Sequence, residues 1–134
     1  MTKVESRTGK ILSSETKVYH FLSDFNNFEK LLPADKIKNW ESTENTCRFS
    51  IEGIGDVGLK IVEKEPYKLI KISGDKLANV EFNFWIQIKQ VQENDTRIRL
   101  TIKADLNPMM RMVAAKPLQE FVNILVDRIE QLQF

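Results

Sequence analysis

The chain has 134 residues, of which 42% are hydrophobic and 29% charged, and its 20 Lys and Arg against 19 Asp and Glu give a formal net charge of +1. This length and composition are typical of one globular domain, which we predict to span residues 1–134, and they exclude a disordered chain. The charge balance provides no overall field that would draw the protein to nucleic acid, so no nucleic-acid partner is expected, although a local basic patch stays open.

The sequence also sets an expected location. Its single cysteine, Cys47, excludes an internal disulfide, which suits a reducing compartment. Residues 1–10 are polar and lack the apolar core of a secretion signal. No apolar run reaches the roughly 20 residues that a membrane helix needs. We therefore expect a cytoplasmic protein without an integral membrane segment.

The amino-terminal third predicts one strand followed by two short helices. Residues 2–12 are polar and β-branched, which favours a first strand. Ser14 is a suitable N-cap, and Glu15 would lie near the positive end of the helix dipole. Pro33 is expected to end the second helix. Apolar side chains at helical spacing form the predicted inner face of the two helices: Val18, Phe21, Leu22, Phe25, Phe28, Leu31 and Leu32.

From Cys47 onwards the apolar residues alternate with polar ones, which predicts antiparallel strands with one buried face. Turns are expected at Gly53 and Gly55, at Gly74 and Asp75, and at 93–95. The predicted inward positions of these strands are Cys47, Phe49, Ile51, Val57, Leu59, Ile61, Ile70, Ile72, Val80, Phe82, Phe84, Ile86, Ile88, Ile98, Leu100, Ile102 and Ala104.

The chain then predicts a long terminal helix. Asn107 is a suitable N-cap, and Pro108 fits the first helical position. Pro117 falls inside the helix and should kink or break it. The predicted buried stripe is Leu118, Phe121, Val122, Leu125, Ile129 and Leu132. The element order indicates an α+β helix-grip fold, in which a curved antiparallel sheet wraps around this helix, with two short helices after the first strand.

Several strings resemble the START-like superfamily, also called Bet v 1-like or SRPBCC, which includes polyketide cyclases and lipid-transport proteins. They are Val4-Glu5-Ser6-Arg7, the helix from Ser14 to Asp24, and Phe25-Asn26-Asn27-Phe28 before a proline. The final pair of long strands and the terminal helix extend the likeness over nearly the whole chain. The resemblance implies a cavity between sheet and terminal helix. Its members bind lipids, sterols, quinones or polyketides, some are cyclases or aromatases, and others are subunits, so fold alone does not choose.

The candidate ligand-binding residues are those that would line such a cavity or its mouth. The inward aromatic residues either line the cavity or simply fill a core, and both interpretations stay open. The cluster of Met109, Met110 and Met112 suits a flexible gate over the cavity or a packed helix end. The residues predicted to bind the ligand are Phe49, Leu59, Phe82, Phe84, Leu100, Met109, Met112 and Val113.

No catalytic residue, cofactor or metal is predicted. His20 points away from the apolar face of its helix, and one histidine with one cysteine is too few for a metal site built from these ligands. Cys47 has inward parity without an adjacent base, which indicates an inert thiol. The acids nearest the hairpins, by parity or turn placement, point outward: Glu52, Asp56 and Glu81.

Three functions remain in consideration. The first is binding or carrying of a small hydrophobic ligand, such as a lipid, quinone or polyketide-like molecule. The second is a cyclase or aromatase, for which the available polar residues are Tyr19, Tyr67 and Ser73. The third is a protein-interaction module with a filled core, acting through the methionine cluster or through Trp85. Because Trp85 has outward parity, it also leaves a homodimer contact open, whereas the direction of Trp40 is undetermined.

Overall fold

A computed structural model describes residues 2–52, 55–75, 80–132 and 134. Its elements in chain order are β1 (Thr2–Glu5), β2 (Gly9–Ile11), α1 (Glu15–Leu22), a 3₁₀ helix (Phe25–Leu31), β3 (Ile37–Ser42), β4 (Thr46–Ile51), β5 (Gly55–Glu65), β6 (Leu69–Gly74), β7 (Phe82–Gln92), β8 (Asp95–Ala104) and α2 (Pro108–Glu130). The strands form one antiparallel sheet in the order β1-β8-β7-β6-β5-β4-β3, and β2 also pairs with β8. The predicted α+β helix-grip fold is confirmed.

The single first strand predicted over residues 2–12 is wrong, because the structure divides it into β1 and β2. Both pair with β8, through Glu5 opposite Thr101 and Gly9 opposite Ile98. From Glu5 to Gly9 the chain advances four residues, whereas β8 advances three from Thr101 to Ile98. The one extra residue forms a β-bulge between β1 and β2. Ser6 holds this break by donating its N–H to the Leu100 carbonyl at 2.8 Å and accepting the Leu100 N–H on its hydroxyl at 2.9 Å.

Both predicted helix caps are confirmed. The Ser14 hydroxyl accepts the Lys17 N–H at 3.3 Å, and the Asn107 side chain accepts the Met110 N–H at 2.8 Å. Of the kink or break expected at Pro117, the break does not occur, since α2 is continuous from Pro108 to Glu130. Pro117 lies on the exposed side of α2, where water can satisfy the carbonyl that loses its intrahelical donor.

The predicted inward alternation is confirmed most clearly in β8. Its inner side chains, Ile98, Leu100, Ile102 and Ala104, are all buried. Thr101 is buried as well despite its outward parity, and its hydroxyl exchanges hydrogen bonds with the Gln87 amide on β7.

The three predicted turns agree with the structure to different extents. Gly53 lies outside the described residues, and Gly55 opens β5 with a φ of 133°. Gly74 is the last residue of β6 rather than a turn residue. In the third turn Asn94 adopts a φ of 53°, whereas Asp95 begins β8 and accepts from Arg97 Nε at 2.9 Å.

One flank of α2 is fastened to the edge of the sheet formed by β1 and β2. The Gln119 amide donates to the Glu5 carbonyl at 2.6 Å, and the Asn123 side chain accepts the Arg7 N–H at 2.9 Å. Glu130 accepts the Lys10 N–H at 2.8 Å and, like Asp127, pairs with the Arg7 guanidinium. These contacts cover the edge strand. Within the described residues, α2 packs mainly on β1, β2 and β8.

Candidate ligand-binding surface

Four of the predicted ligand-binding residues lie together on the inner face of the sheet. Phe49 is on β4, Leu59 on β5, and Phe82 and Phe84 on β7. Strand β6 lies between β5 and β7 and places Gly74 opposite Leu59. Its missing side chain leaves the space that the Phe82 ring occupies, because a Cβ at Gly74 would collide with that ring. The sheet therefore brings large aromatic side chains together where β6 contributes no bulk.

The facing flank of α2 adds Leu118 and Phe121 to this surface. Both are only partly buried, although they pack against the core. Ile37, Ile51 and Trp40 from β3 and β4 behave in the same way. We define the apolar hollow as the inner surface formed by Ile37, Trp40, Phe49, Ile51, Leu59, Phe82, Phe84, Leu118 and Phe121.

Trp40 is a member of the apolar hollow whose direction could not be predicted from the sequence. Its ring stacks on Phe49 with centroids 5.4 Å apart and an interplanar angle of 23°. The alternation of β3 is interrupted by a bulge between Lys38 and Glu41, where Asn39 adopts a φ of 59°. Because such an extra residue reverses the parity of the later positions in the strand, period-two counting gives no direction for Trp40. Trp40 adds an indole N–H, a hydrogen-bond donor, to a set of otherwise apolar side chains.

The remaining predicted residues lie elsewhere. Met109, Met112 and Val113 are 77%, 86% and 71% exposed, since their spacing of three and four residues puts them on the solvent side of α2. Met110 is the half-buried methionine of this cluster. Leu100 is almost fully buried opposite Ile86, so it belongs to the packed core rather than to the apolar hollow.

Two open surface depressions lie at the carboxyl-terminal end of α2, away from the apolar hollow. One has a volume of about 650 Å³ and is lined by both polar and apolar side chains, including Lys10, Leu12, Glu130 and Phe134. The second, of about 520 Å³, lies between Lys30 and the last turns of α2. Eight of the nine side chains of the apolar hollow are partly exposed, and Phe49 is the buried member at 8% exposure. This partial exposure, and not an enclosed volume, distinguishes the apolar hollow.

The polar residues considered for catalysis do not face the apolar hollow. Tyr19 lies on α1 and is buried, and its ring centroid is 5.5 Å from that of Tyr67. Burial raises the pKa of its hydroxyl. Tyr67 is exposed at the turn between β5 and β6. Ser73 has the outward parity of β6, between the inward Ile72 and the glycine that the Phe82 ring covers.

The remaining titratable candidate is Cys47, which lies on the inner face of β4. Burial raises the pKa of its thiol to about 12, so the thiolate is scarcely populated near neutral pH. Within the described ranges, no group of three or more His, Cys, Asp or Glu residues is arranged to hold a metal ion. The same part of the chain contains no helix long and apolar enough to cross a membrane.

Comparisons with solved structures place this architecture in a large structural group. The chain is similar to the protein XoxI from Bacillus cereus, with a TM-score of 0.77 and 14% identity over 98% of this chain and 94% of that one. A norcoclaurine synthase point mutant from Thalictrum, in complex with a transition-state analogue, gives a TM-score of 0.74 and 10% identity over 97% and 92% of the two chains. A START superfamily protein from Mycobacterium smegmatis gives 0.65 and 17% over 98% and 99%.

These likenesses show a shared fold, and the predicted START-like and Bet v 1-like resemblance is confirmed at that level. No curated protein sequence matches the chain. A family model does match it, over residues 9–132, and describes CoxG, a subunit of carbon monoxide dehydrogenase. Since this match takes in both the sheet and α2, the chain belongs to the CoxG family.

Proposed function

We propose that this protein binds a small hydrophobic molecule in the apolar hollow between the sheet and the middle of α2, where Leu118 and Phe121 lie. The observation that supports this proposal is a gradient of burial along one face of β7. Phe82 and Phe84 are partly exposed, whereas Ile86 and Ile88 on the same face are 1% and 4% exposed. Large aromatic side chains left partly uncovered inside a fold are an apolar surface that a ligand can cover.

The composition of the apolar hollow favours a ligand with a flat unsaturated ring. Five of its nine members are aromatic, including the stacked pair of Trp40 and Phe49. Aromatic faces pack well against other planar rings, so a quinone or polyketide-like compound suits this surface better than a saturated lipid chain. Covering about 300 Å² of apolar surface contributes on the order of 7 kcal/mol before the cost of association, which corresponds to micromolar binding or weaker.

Two alternative functions receive different support. A cyclase or aromatase is favoured by the fold shared with norcoclaurine synthase, but Tyr19, Tyr67 and Ser73 lie away from the apolar hollow. An interaction module is favoured by the family description, which names a subunit of an enzyme. The role of an interaction module is compatible with ligand binding, because the outer face of the sheet stays available for a partner while a ligand occupies the inner face.

The first test is native mass spectrometry of the purified protein, followed by organic extraction and identification of released compounds. A stoichiometric apolar adduct is expected, and its unsaturation would separate a ring compound from a saturated lipid. An adduct that survives in a Phe82→Ala/Phe84→Ala variant at wild-type occupancy would place the ligand elsewhere.

The second test is a fluorescence titration with N-phenyl-1-naphthylamine, a planar apolar probe. Phe84→Ala should weaken binding about tenfold, because it removes one aromatic wall of the apolar hollow. His20→Ala is the matched control, since His20 is exposed and its ring lies beside those of Tyr19 and Tyr67, which are not part of the apolar hollow. Equal effects of the two substitutions would contradict the assignment of the site.

A further inference from the structure

The outer face of the sheet, opposite the apolar hollow, carries a row of basic and neutral polar side chains. Register pairing aligns Lys3 of β1 with Lys103 of β8, and Lys103 with Asn83 of β7. The row continues through Ser73 of β6 to Lys60 of β5. Five neighbouring strands therefore present one line, roughly 19 Å long at the usual strand spacing, that contains no carboxylate.

An indole ring lies beside this row. Trp85 is on β7, two residues from Asn83, and is half-buried although it points outward. The Nζ atoms of Lys71 and Lys103 each lie 5.5 Å from its ring centroid, a favourable cation–π arrangement. We define the basic strip as Lys3, Lys60, Lys71, Lys103 and Trp85.

The charges of the basic strip are only partly compensated within the protein: the hydrogen bond from Lys3 and the charges of Arg99 and Lys103 lower the pKa of Glu5, and Glu63 stands opposite Lys71 in the sheet register. In the part of the chain that the structure describes, Lys3 pairs with Glu5 at 3.0 Å, whereas Lys60, Lys71 and Lys103 make no ion pair. Lys3 and Lys103 also stand directly opposite each other, and like charges in that position destabilise a sheet. The chain as a whole carries a formal charge of only +1, whereas the four lysines of the basic strip have two carboxylates beside them, Glu5 and Glu63, so this surface carries a local excess of positive charge.

We propose that the basic strip is a docking surface for an acidic patch on a partner protein, with Trp85 at the centre of the contact. Carboxylates of the partner would balance the excess positive charge, and burial of the indole would add apolar contact of the kind that anchors interfaces. Because the basic strip and the apolar hollow lie on opposite faces of the sheet, both can be occupied at once. The proposal does not depend on a ligand being bound.

Other occupants fit this surface less well. A second copy of the chain docked symmetrically would place lysines against lysines. Single-stranded nucleic acid is held by several exposed rings on which bases stack, whereas this surface has one ring flanked by two lysines. A membrane surface would require apolar side chains able to insert, and none of the large exposed apolar residues belongs to the basic strip.

The test uses a 20-residue poly-L-glutamate as the acidic probe and the full chain with Trp40→Phe, which makes Trp85 the only tryptophan. Addition of the probe should shift the Trp85 emission. Lys71→Gln/Lys103→Gln should weaken binding about tenfold, and added salt should weaken it further. The matched control is Lys17→Gln/Lys30→Gln, which removes the same charge from exposed helical positions and should change binding less than about twofold.

Three results would overturn the proposal. The first is an unchanged Trp85 emission on saturation with the probe, and the second is equal weakening by the two charge-matched variants. The third is tighter lysine-dependent binding of a single-stranded oligonucleotide or of phosphatidylglycerol vesicles than of poly-L-glutamate. A thermal unfolding midpoint equal to wild type in the Lys71→Gln/Lys103→Gln variant ensures that weakened binding reports the surface and not the fold. Binding of N-phenyl-1-naphthylamine is compared between the wild type and a Lys71→Gln/Lys103→Gln variant that keeps Trp40, and equal binding separates this outcome from failure of the apolar hollow.

Discussion

The two halves of the layer between the sheet and α2 are packed to different extents. In the carboxyl-terminal half, Val122 and Val126 are completely buried. Gly9 on β2 permits this close approach, because a Cβ there would lie 2.6 Å from a Val126 methyl group. In the amino-terminal half, Leu118 and Phe121 stay partly exposed opposite the aromatic side chains of the sheet. We call these regions the closed half and the open half.

The residue types change with the packing. Inner positions of the closed half are branched aliphatic side chains, which interdigitate tightly, whereas the open half is rich in aromatic rings with uncovered faces. The polar contacts of α2 with the edge strand run alongside both halves. We infer that the closed half provides most of the stability, which leaves the open half free to adjust to a ligand.

The largest expected effect is the loss of stability in a pair of truncations on one face of β7. Ile86→Ala should lower the free energy of unfolding by about 3 kcal/mol, because it leaves a cavity in the closed half. Phe84→Ala should lower it by about 1 kcal/mol although it removes more atoms, since the ring is already partly in water. Urea denaturation measures both, and a larger loss for Phe84→Ala would contradict the division into halves.

A pair of glycine substitutions tests the same comparison by adding atoms instead of removing them. Gly9→Ala should lower the free energy of unfolding by about 2 kcal/mol, because the new methyl group meets the buried side chains of Val126 and Ile98. Gly74→Ala should cost less than about 1 kcal/mol, since it meets the ring of Phe82, a side chain that can swing into the apolar hollow.

Thermal unfolding of the two single variants and of Gly9→Ala/Val126→Ala provides the measurement. If the clash is the cause, the double variant should be less destabilised than the sum of the single variants. Strict additivity would mean that the space beside Gly9 is not what brings α2 close to the sheet.

Much of the closed half could be predicted from the sequence. Strict alternation in β8 and helical spacing in α2 assign Ile98, Leu100, Val122 and Ile129 to the core, because a buried face imposes a regular period. The caps at Ser14 and Asn107 were equally predictable, since their chemistry is local.

The open half was harder to predict, because there the period is interrupted or the burial is incomplete. The β3 bulge hides the direction of Trp40. Outside the open half, the Ser6 bulge likewise divides the first strand. Met109, Met112 and Val113 are apolar in sequence but exposed in the structure. A hydrophobic pattern indicates which residues favour burial, and it does not show where the fold leaves an apolar side chain uncovered.

The smallest expected effect concerns the fastening of α2 to the edge strand, and it is seen only in acid. The hydrogen bond from Arg7 holds the pKa of Glu130 below the ordinary value of 4.5. A carboxyl group whose pKa is lowered in the folded state stabilises the protein above its unfolded pKa, and this contribution is lost as the pH falls through the lower folded value. The contribution of Glu130 should therefore be complete at pH 6 and should be lost in acid, as the pH falls below 4.5 and through the lower pKa of the folded state.

Glu130→Gln should accordingly reduce the free energy of unfolding at pH 6 by less than about 1 kcal/mol, because solvent screens a partly exposed pair. The difference from wild type should shrink towards zero in acid, as Glu130 of the wild type becomes protonated. Glu29→Gln is the matched control, because Glu29 is exposed on the 3₁₀ helix and makes no ion pair with the described residues. Urea denaturation at pH 3.5, 4.5 and 6 measures the trend, and a difference that grows in acid would mean that Arg7 does not stabilise the charged form of Glu130.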